Sequence, residues 1–186
     1  MKNIIKWLVL ALLLVLIIGG ATLLYNNLSR QYGGENISEN EYNEKVPDDF
    51  MAAPDFTVLD YDLNEVNLSD YMGKPIVLNF WATWCYYCKQ EMPDFDKARE
   101  NYPDVQFLMI NATDGVQETI ESAKEYIEKE GYGFDVFFDT NLEAVSAYYV
   151  TGFPATFFID KDGSLVARGN GMLSYESIEK GIGMIS

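Results

Sequence analysis

An apolar hexapeptide runs almost directly into two closely spaced cysteines, and this junction constrains the fold more than any other part of the chain. Residues Ile76–Trp81 are nearly all apolar, as in a central strand that is covered on both faces. Cys85 and Cys88 follow, and a charged, helix-forming segment comes next. We therefore predict that Cys85 lies where a buried strand gives way to a helix.

A cysteine at the start of a helix is chemically reactive. The free backbone N–H groups and the positive end of the helix dipole favour the thiolate over the thiol there. Cys85 can then attack a disulfide of another protein. Cys88, one helical turn later, can attack the resulting mixed disulfide and release the partner. The spacing thus favours thiol-disulfide exchange.

Two structural interpretations of the cysteine pair compete with exchange chemistry. A structural zinc site needs about four ligands, and the chain has two cysteines and no histidine, so carboxylates would have to complete an intramolecular site. A purely stabilising disulfide would close a very short loop, which removes little entropy from the unfolded chain. Both fit the pattern less well than a redox-active pair does.

The overall composition limits the classes of partner and of catalysis. Of 186 residues, 48% are hydrophobic and 15% aromatic, enough for one full core with appended segments. The formal net charge of −16, without a basic cluster, argues against a nucleic-acid partner. The sequence has no histidine, the usual general base, so thiol chemistry must depend on helix and carboxylate electrostatics.

The N-terminal residues predict a membrane anchor. Residues 7–25 contain no charged side chain and, as a helix, would span about 28 Å, close to the hydrocarbon thickness of a bilayer. Two lysines precede this run and Arg30 follows it, which places the N-terminus in the cytoplasm and the rest of the chain outside. The alternative is a cleaved signal peptide, for which residues 19–21 supply small side chains. We expect residues 1–25 to anchor a single-pass protein of the cell membrane.

The remainder divides into a tether and a folded domain. Residues 26–50 are rich in acidic and poor in apolar side chains, which predicts a flexible acidic tether. From residue 51 to residue 186, strands and helices alternate, and a hairpin and a helix close the chain. This order predicts an α/β domain around a mixed sheet. The predicted strands are 54–59, 66–68, 76–81, 106–111, 134–138, 155–159 and 164–168, and the predicted helices are 85–101, 113–130, 141–149 and 175–184.

Three short motifs in this domain carry a family resemblance. They are Asn-Phe-Trp-Ala-Thr-Trp-Cys-Tyr-Tyr-Cys-Lys at 79–89, Gly-Phe-Pro-Ala-Thr at 152–156 and Lys-Asp-Gly at 161–163. Together they resemble the thioredoxin superfamily and, within it, the TlpA/ResA-like extracytoplasmic thiol-disulfide oxidoreductases. The resemblance implies a thioredoxin-like fold with an N-terminal hairpin and a helix-strand insertion between residues 115 and 139. An N-terminal anchor fits the same branch.

The resemblance also implies roles for individual residues. Cys85 corresponds to an exposed nucleophile, Cys88 to a buried resolving cysteine, and Pro154 to a cis-proline that faces the disulfide and turns the preceding backbone outward to pair with a client segment. Glu91 takes the place of a glutamate near the active site, and the alternative is a solvated carboxylate on the helix surface. We expect a client-binding apolar rim formed by Trp84, Tyr86, Tyr87 and Phe153.

Two departures from the family pattern affect the chemistry. Ordinary thioredoxins have a buried aspartate where this chain has Asn79, so proton transfer from Cys88 would need Glu91 or a water molecule. The pair between the cysteines is Tyr86-Tyr87, whereas many relatives have a proline before the second cysteine, and this pair tunes the reduction potential.

The direction of electron flow stays open at this level. The resemblance favours a reductant that a membrane thiol-transfer protein recharges and that acts on apocytochrome, on another oxidised envelope protein or on a methionine sulfoxide reductase. A disulfide-forming oxidant uses the same chemistry, and the compartment outside the cytoplasm permits it. A copper-binding module could hold Cu(I) through the two thiolates, although the lack of histidine disfavours it. A peroxidase would want a threonine where this chain has Ala82. No cofactor is expected.

Overall fold

The computed structural model describes residues 52–186, together with residues 6, 19 and 20. Apart from those three positions, the predicted anchor over 1–25 and the predicted tether over 26–50 lie outside the described residues. Within the described part of the chain, no helix has the length and apolar character needed to cross a bilayer.

One mixed sheet of seven strands forms the centre of the domain. In space the strands follow the order β2-β1-β5-β4-β3-β6-β7, where β1 is Thr57–Leu59, β2 Glu65–Asn67, β3 Ile76–Trp81, β4 Gln106–Asn111, β5 Asp135–Phe138, β6 Ala155–Ile159 and β7 Leu165–Asn170. Strands β3, β4 and β5 are parallel, whereas β6 runs antiparallel to β3, and β7 to β6. The N-terminal hairpin β1–β2 pairs with β5. The predicted mixed sheet is therefore confirmed.

Within residues 52–186, four α-helices flank the sheet. They are α1 (Tyr86–Asn101), α2 (Ile120–Glu130), α3 (Glu143–Ala147) and α4 (Tyr175–Ile185), and a short 3-10 helix, Leu68–Tyr71, follows the hairpin. Helix α2 and strand β5 form the predicted insertion. Helix α1 follows β3 directly, which carries the cysteines to the carboxyl end of an interior strand.

Two buried clusters cover the two faces of the sheet. On one face, Val77 and Trp81 of β3 pack with buried residues of α1, α2 and α4. On the other face, Leu78 and Phe80 pack in a cluster that includes Tyr148, just after α3. Because neighbouring side chains of a strand point to opposite faces, β3 is buried on both sides, as its apolar run predicts.

Helix α2 begins later than the sequence predicts. The acidic pattern predicts a helix over residues 113–130, but α2 starts at Ile120, where the side chain of Thr119 caps its first turn. Before the cap, Asp114 Oδ1 accepts hydrogen bonds from the three consecutive backbone N–H groups of residues 116–118. An aspartate that bonds the backbone ahead of it favours a turn over a helix, so this segment is a loop.

Helix α3 is also shorter than its predicted range of 141–149. Leu142 has φ of 53° and Tyr149 has φ of 50°, both in the left-handed region. Residues in that conformation cannot continue a right-handed helix. The helix is therefore confined to five residues, Glu143–Ala147, which lie between Leu142 and Tyr148.

Candidate active site

The cysteine pair occupies the junction of β3 and α1. Strand β3 ends at Trp81 and α1 begins at Tyr86, which makes Cys85 the N-cap residue of the helix. Cys85 and Cys88 form a disulfide with their Cα atoms 5.3 Å apart. The backbone N–H of Cys88 donates to Cys85 Sγ at 3.1 Å, so the sulfur takes the place that an oxygen has in an ordinary helix cap. A thiolate formed here on reduction meets both this donor and the positive end of the helix.

The two sulfur-bearing side chains differ in access to solvent. Cys85 is 5% exposed and Cys88 is fully buried. The resemblance implies an exposed nucleophile, but in the disulfide form Cys85 is largely covered. Of the two cysteines, Cys85 alone reaches the surface. A partner thiol or disulfide must therefore meet Cys85 first.

Glu91 is buried in the core and does not lie on the solvated surface of the helix. It follows Cys88 by three residues on α1 and is only 1% exposed. Both carboxyl oxygens have partners, because Asn79 Nδ2 donates to Oε1 at 2.8 Å and the Leu173 backbone N–H donates to Oε2 at 2.8 Å. Of the two alternatives weighed for Glu91, the solvent-facing one is wrong.

The burial of Glu91 changes its acidity. Removal of the carboxyl from water raises its pKa to about 8, with a smaller upward contribution from the charge of Asp94. The hydrogen bonds from Leu173 and Asn79 act in the opposite direction but are outweighed. The group is therefore mostly protonated at neutral pH, and its pKa is close to that of an ordinary thiol, about 8.5. Such a group can give or take a proton near a cysteine at little cost.

Asn79 connects three elements, β3, α1 and β6. Its Nδ2 donates to Glu91 on α1 and to Thr156 Oγ1 on β6 at 3.0 Å, and all three side chains are buried. Asn79 Oδ1 has no hydrogen-bond partner among the described residues. The position that differs from ordinary thioredoxins is thus in direct contact with the buried carboxyl.

The four predicted rim residues form two aromatic pairs. Trp84 contacts Phe153 edge to face with ring centroids 5.7 Å apart, and Tyr86 contacts Tyr87 in the same manner at 5.4 Å. Three of them are well exposed, at 47% for Trp84, 65% for Tyr86 and 60% for Tyr87, whereas Phe153 is half-buried. The peptide bond between Phe153 and Pro154 is cis, as the resemblance implies.

A cavity of about 330 Å³ opens beside this rim. Phe153 and Pro154 line it together with residues 148–152 and parts of β6 and β7, including Arg168. Its lining is mixed, with aromatic rings, backbone polar groups and a guanidinium. It has the volume to receive a side chain of a bound segment.

The family follows from comparison with known proteins. Residues 51–168 match the family model described as the AhpC/TSA family. The thiol-disulfide oxidoreductase ResA of Geobacillus kaustophilus is 35% identical over 150 residues, which cover 79% of this chain and 84% of that protein. The chain belongs to this family of thiol-disulfide oxidoreductases. ResA of Bacillus subtilis is 30% identical over 176 residues and matches 94% of this chain and 89% of its own length.

Solved structures of the family share the fold of this domain. A putative thiol:disulfide interchange protein DsbE from Chlorobium tepidum is 28% identical, with a TM-score of 0.64, and covers 71% of this chain and 93% of its own. The exposed lipoprotein thioredoxin of Streptococcus pneumoniae is 29% identical, with a TM-score of 0.60, and covers 68% of this chain and 96% of its own. Both the predicted ResA-like resemblance and the thioredoxin-like fold are confirmed.

Sequence analysis missed two polar residues near the pair. Thr156 lies inside the Gly-Phe-Pro-Ala-Thr motif, and its position opposite Asn79 could have been found by aligning the two strands. Glu118 is fully buried and bonds to Thr83, two residues before Cys85. The neighbouring sequence does not indicate that Glu118 is buried, because it lies in a segment whose many acidic residues predict a solvated helix.

Proposed function

We propose that this oxidoreductase reduces disulfides of client proteins outside the cytoplasm and is itself recharged by a membrane thiol-transfer protein. The observation that carries the proposal is the buried carboxyl of Glu91, three residues after Cys88 on the helix that the disulfide begins. Membership of the ResA-like family supports the exchange chemistry, and the burial of Glu91 supports the direction.

The exchange has two steps. In the reduced protein the Cys85 thiolate attacks a client disulfide, which forms a mixed disulfide and expels one client thiolate. Cys88 then loses its proton and attacks Cys85 Sγ, which forms the Cys85–Cys88 bond and expels the second client thiolate. Two electrons pass to the client, and the two protons of the dithiol end on its thiols. Glu91 can accept the proton of Cys88 and pass it on, because its pKa lies near 8.

The electrostatics around the pair favour a reductant. The helix N-terminus stabilises the Cys85 thiolate, which by itself would stabilise the reduced form and make the protein oxidising. Burial opposes this, because Cys88 is fully buried, Cys85 is only 5% exposed, and a poorly solvated site disfavours a thiolate. Above about pH 8, the ionised Glu91 carboxyl adds repulsion. The thiols therefore keep their protons to higher pH, which favours the disulfide and lowers the reduction potential.

Two measurements test the proposal. We expect the potential against glutathione and dithiothreitol buffers to lie near that of thioredoxin, about −270 mV, and a value near −120 mV, as in strong disulfide-forming oxidants, would assign the opposite role. Cys88→Ser should trap mixed disulfides with clients on Cys85. The matched variant Cys85→Ser should trap far fewer, and equal trapping would mean that the assigned roles of the two cysteines are wrong.

The location is part of the same proposal and rests on the sequence. We infer that residues 1–25 anchor the protein in the cell membrane and that the acidic tether holds the catalytic domain on the outer side. The protein should remain with membranes after alkaline extraction, and its domain should be digested by protease added to intact protoplasts. Release of the domain into the medium would indicate cleavage instead.

A further inference from the structure

Glu118 is a buried carboxylate for which neither the cysteine chemistry nor Glu91 gives a reason. It lies in the loop between β4 and α2 and is fully buried. Its Oε2 accepts hydrogen bonds from the Thr83 backbone N–H at 3.0 Å and from Thr83 Oγ1 at 2.7 Å, and its Oε1 accepts one from Asn111 Nδ2 at 2.9 Å. Both oxygens are thus satisfied, two of the three bonds by a single residue.

That residue belongs to the segment that carries the nucleophile. Thr83 lies between the end of β3 and Cys85, in a turn closed by the hydrogen bond from the Cys85 N–H to the Ala82 carbonyl at 3.1 Å. Because Glu118 binds both the backbone and the side chain of Thr83, it restrains the position and the orientation of this turn. Cys85 is two residues further on, at most about 7 Å along the chain.

The carboxylate is itself held by an ordered loop. Asp114 Oδ1 bonds the backbone N–H groups of residues 116–118, and the Gly115 N–H donates to the Glu118 carbonyl at 2.9 Å. Gly115 has φ of 72°, which this tight turn requires and glycine adopts without strain. A restraint is effective only when its own support is rigid, and this loop meets that condition.

We propose that Glu118 is a positioning residue for the nucleophile and acts through Thr83. In the disulfide form the covalent bond to Cys88 already fixes Cys85. Reduction removes that bond, and the tie between Glu118 and Thr83 then holds Cys85 at the helix N-terminus, where its thiolate is stabilised and aimed at the incoming disulfide. The inference rests on the proposed exchange at Cys85 but not on its direction.

The experiment compares two isosteric substitutions in the full-length protein. Thr83→Val removes the 2.7 Å hydrogen bond to Glu118, and Thr57→Val removes a 2.8 Å hydrogen bond to Asn67 in the distant β1–β2 hairpin. Both threonines are half-buried, so Thr57→Val controls for the change of side chain itself. Glu118→Gln is the third variant, since it keeps the shape of the side chain but leaves one acceptor oxygen.

Two rates are measured in reduced protein: alkylation of Cys85 by iodoacetamide from about pH 5 to 10, and exchange with oxidised glutathione. We expect Thr83→Val to move the alkylation midpoint to higher pH and to slow exchange ten- to about a hundredfold, the effect of displacing a reacting group by about 1 Å. Thr57→Val should match the parent in both. The double variant of Thr83 and Glu118 should be no slower than the slower single variant, because both changes weaken the same interaction between Glu118 and Thr83.

Three results would overturn the proposal: Thr83→Val behaving as Thr57→Val does, an unmoved alkylation midpoint, or additive effects of Thr83→Val and Glu118→Gln. A general loss of stability cannot imitate the expected result, because the molecules that stay folded would keep the parent's pH midpoint of Cys85 alkylation. The failure of the proposed reductant role is separately visible. A reduction potential near −120 mV would overturn the reductant role. The rates measured for these variants would still test the proposed role of Glu118.

Discussion

Asn79 donates a hydrogen bond to Glu91 across 2.8 Å, and this contact joins the central strand to the active-site helix. The backbone N–H of Leu173 donates to the other carboxyl oxygen of Glu91, so the loop that precedes α4 also binds this side chain. Three elements thus converge on one buried acid. Because burial raises its pKa to about 8, the site stores a proton at neutral pH next to the resolving cysteine.

Stability should fall with rising pH because of Glu91. Its pKa is about 8 in the folded protein and near the ordinary 4.5 in the unfolded chain, so the folded state holds the extra proton between these values. The contribution to stability is full below about pH 4.5 and is lost as pH rises to about 8. The total is roughly 5 kcal/mol. Glu91→Gln should remove this fall, because the amide does not titrate and Asn79 Oδ1 is available to accept from it.

Denaturant unfolding of the disulfide form, measured from pH 5 to pH 9, checks this prediction. Only the difference between the parent and the variant counts, since other groups titrate in both. Glu100→Gln is the matched control, because Glu100 lies on the same helix but is exposed. Parallel curves for parent and Glu91→Gln would show that the carboxyl is ionised throughout.

Asn79→Asp should extend the pH dependence upward. The substitution keeps the shape of the side chain but places a second carboxyl within 2.8 Å of Glu91, and two buried carboxyls at that distance cannot both ionise. The pair then shares a proton, and its last proton leaves above pH 8. A group with a raised pKa in the folded state loses its contribution to stability as pH rises through that pKa. The free energy of unfolding of Asn79→Asp should therefore continue to fall at pH values where the parent curve is level.

The same unfolding series, extended to about pH 10, measures that decline. Asn101→Asp adds the same charge at an exposed position on the same helix and should follow the parent. If Asn79→Asp becomes level at the pH of the parent, the two carboxyls do not share a proton.

The tyrosines between the cysteines should matter for large clients and not for small disulfides. Tyr86 and Tyr87 are more than half exposed and pack on each other, so they add little to the core but much to the surface around Cys85. We expect Tyr86→Ala and Tyr87→Ala each to slow exchange with a protein client about tenfold, as loss of an aromatic interface contact does. Exchange with oxidised glutathione should change less than about twofold.

Leu63→Ala serves as the control for surface area, because Leu63 is 48% exposed in the β1–β2 hairpin at the far edge of the sheet. It should leave both reactions unchanged. Equal slowing of the small and the protein substrates by the tyrosine variants would mean that they act on the thiols and not on client binding.

Two glycines of α4 should respond oppositely to alanine. A Cβ at Gly181 would lie 2.2 Å from the ring of Phe158, whereas a Cβ at Gly183 would meet nothing within 4 Å. Gly181→Ala should therefore lower the free energy of unfolding by about 1 to 3 kcal/mol through overpacking. Gly183→Ala should raise it by up to about 1 kcal/mol through helix propensity. Denaturant unfolding at one pH measures both, and a stabilising Gly181→Ala would place Phe158 elsewhere.

The reactive pair could be predicted from sequence because its determinants are local. A strand buried on both faces reads as an apolar run, and the charged segment after Cys85 reads as a helix, so the junction follows from neighbouring residues. The cis bond at Pro154 was implied by the family resemblance, which a short motif carries. The ends of α2 and α3 did not, because an aspartate-capped turn and two left-handed residues overrode the helical pattern there.

The environment of the pair was decided by tertiary structure. Helical spacing places Glu91 one turn after Cys88, but packing of α1 against the start of α4 turns it inward, and burial is the main cause of its raised pKa. Glu118 reaches Thr83 across 35 positions of sequence because β4 lies beside β3. A sequence specifies which groups can ionise and which segments are apolar. Solvation and hydrogen bonding, which set what those groups do, depend on segments that meet only in the folded chain.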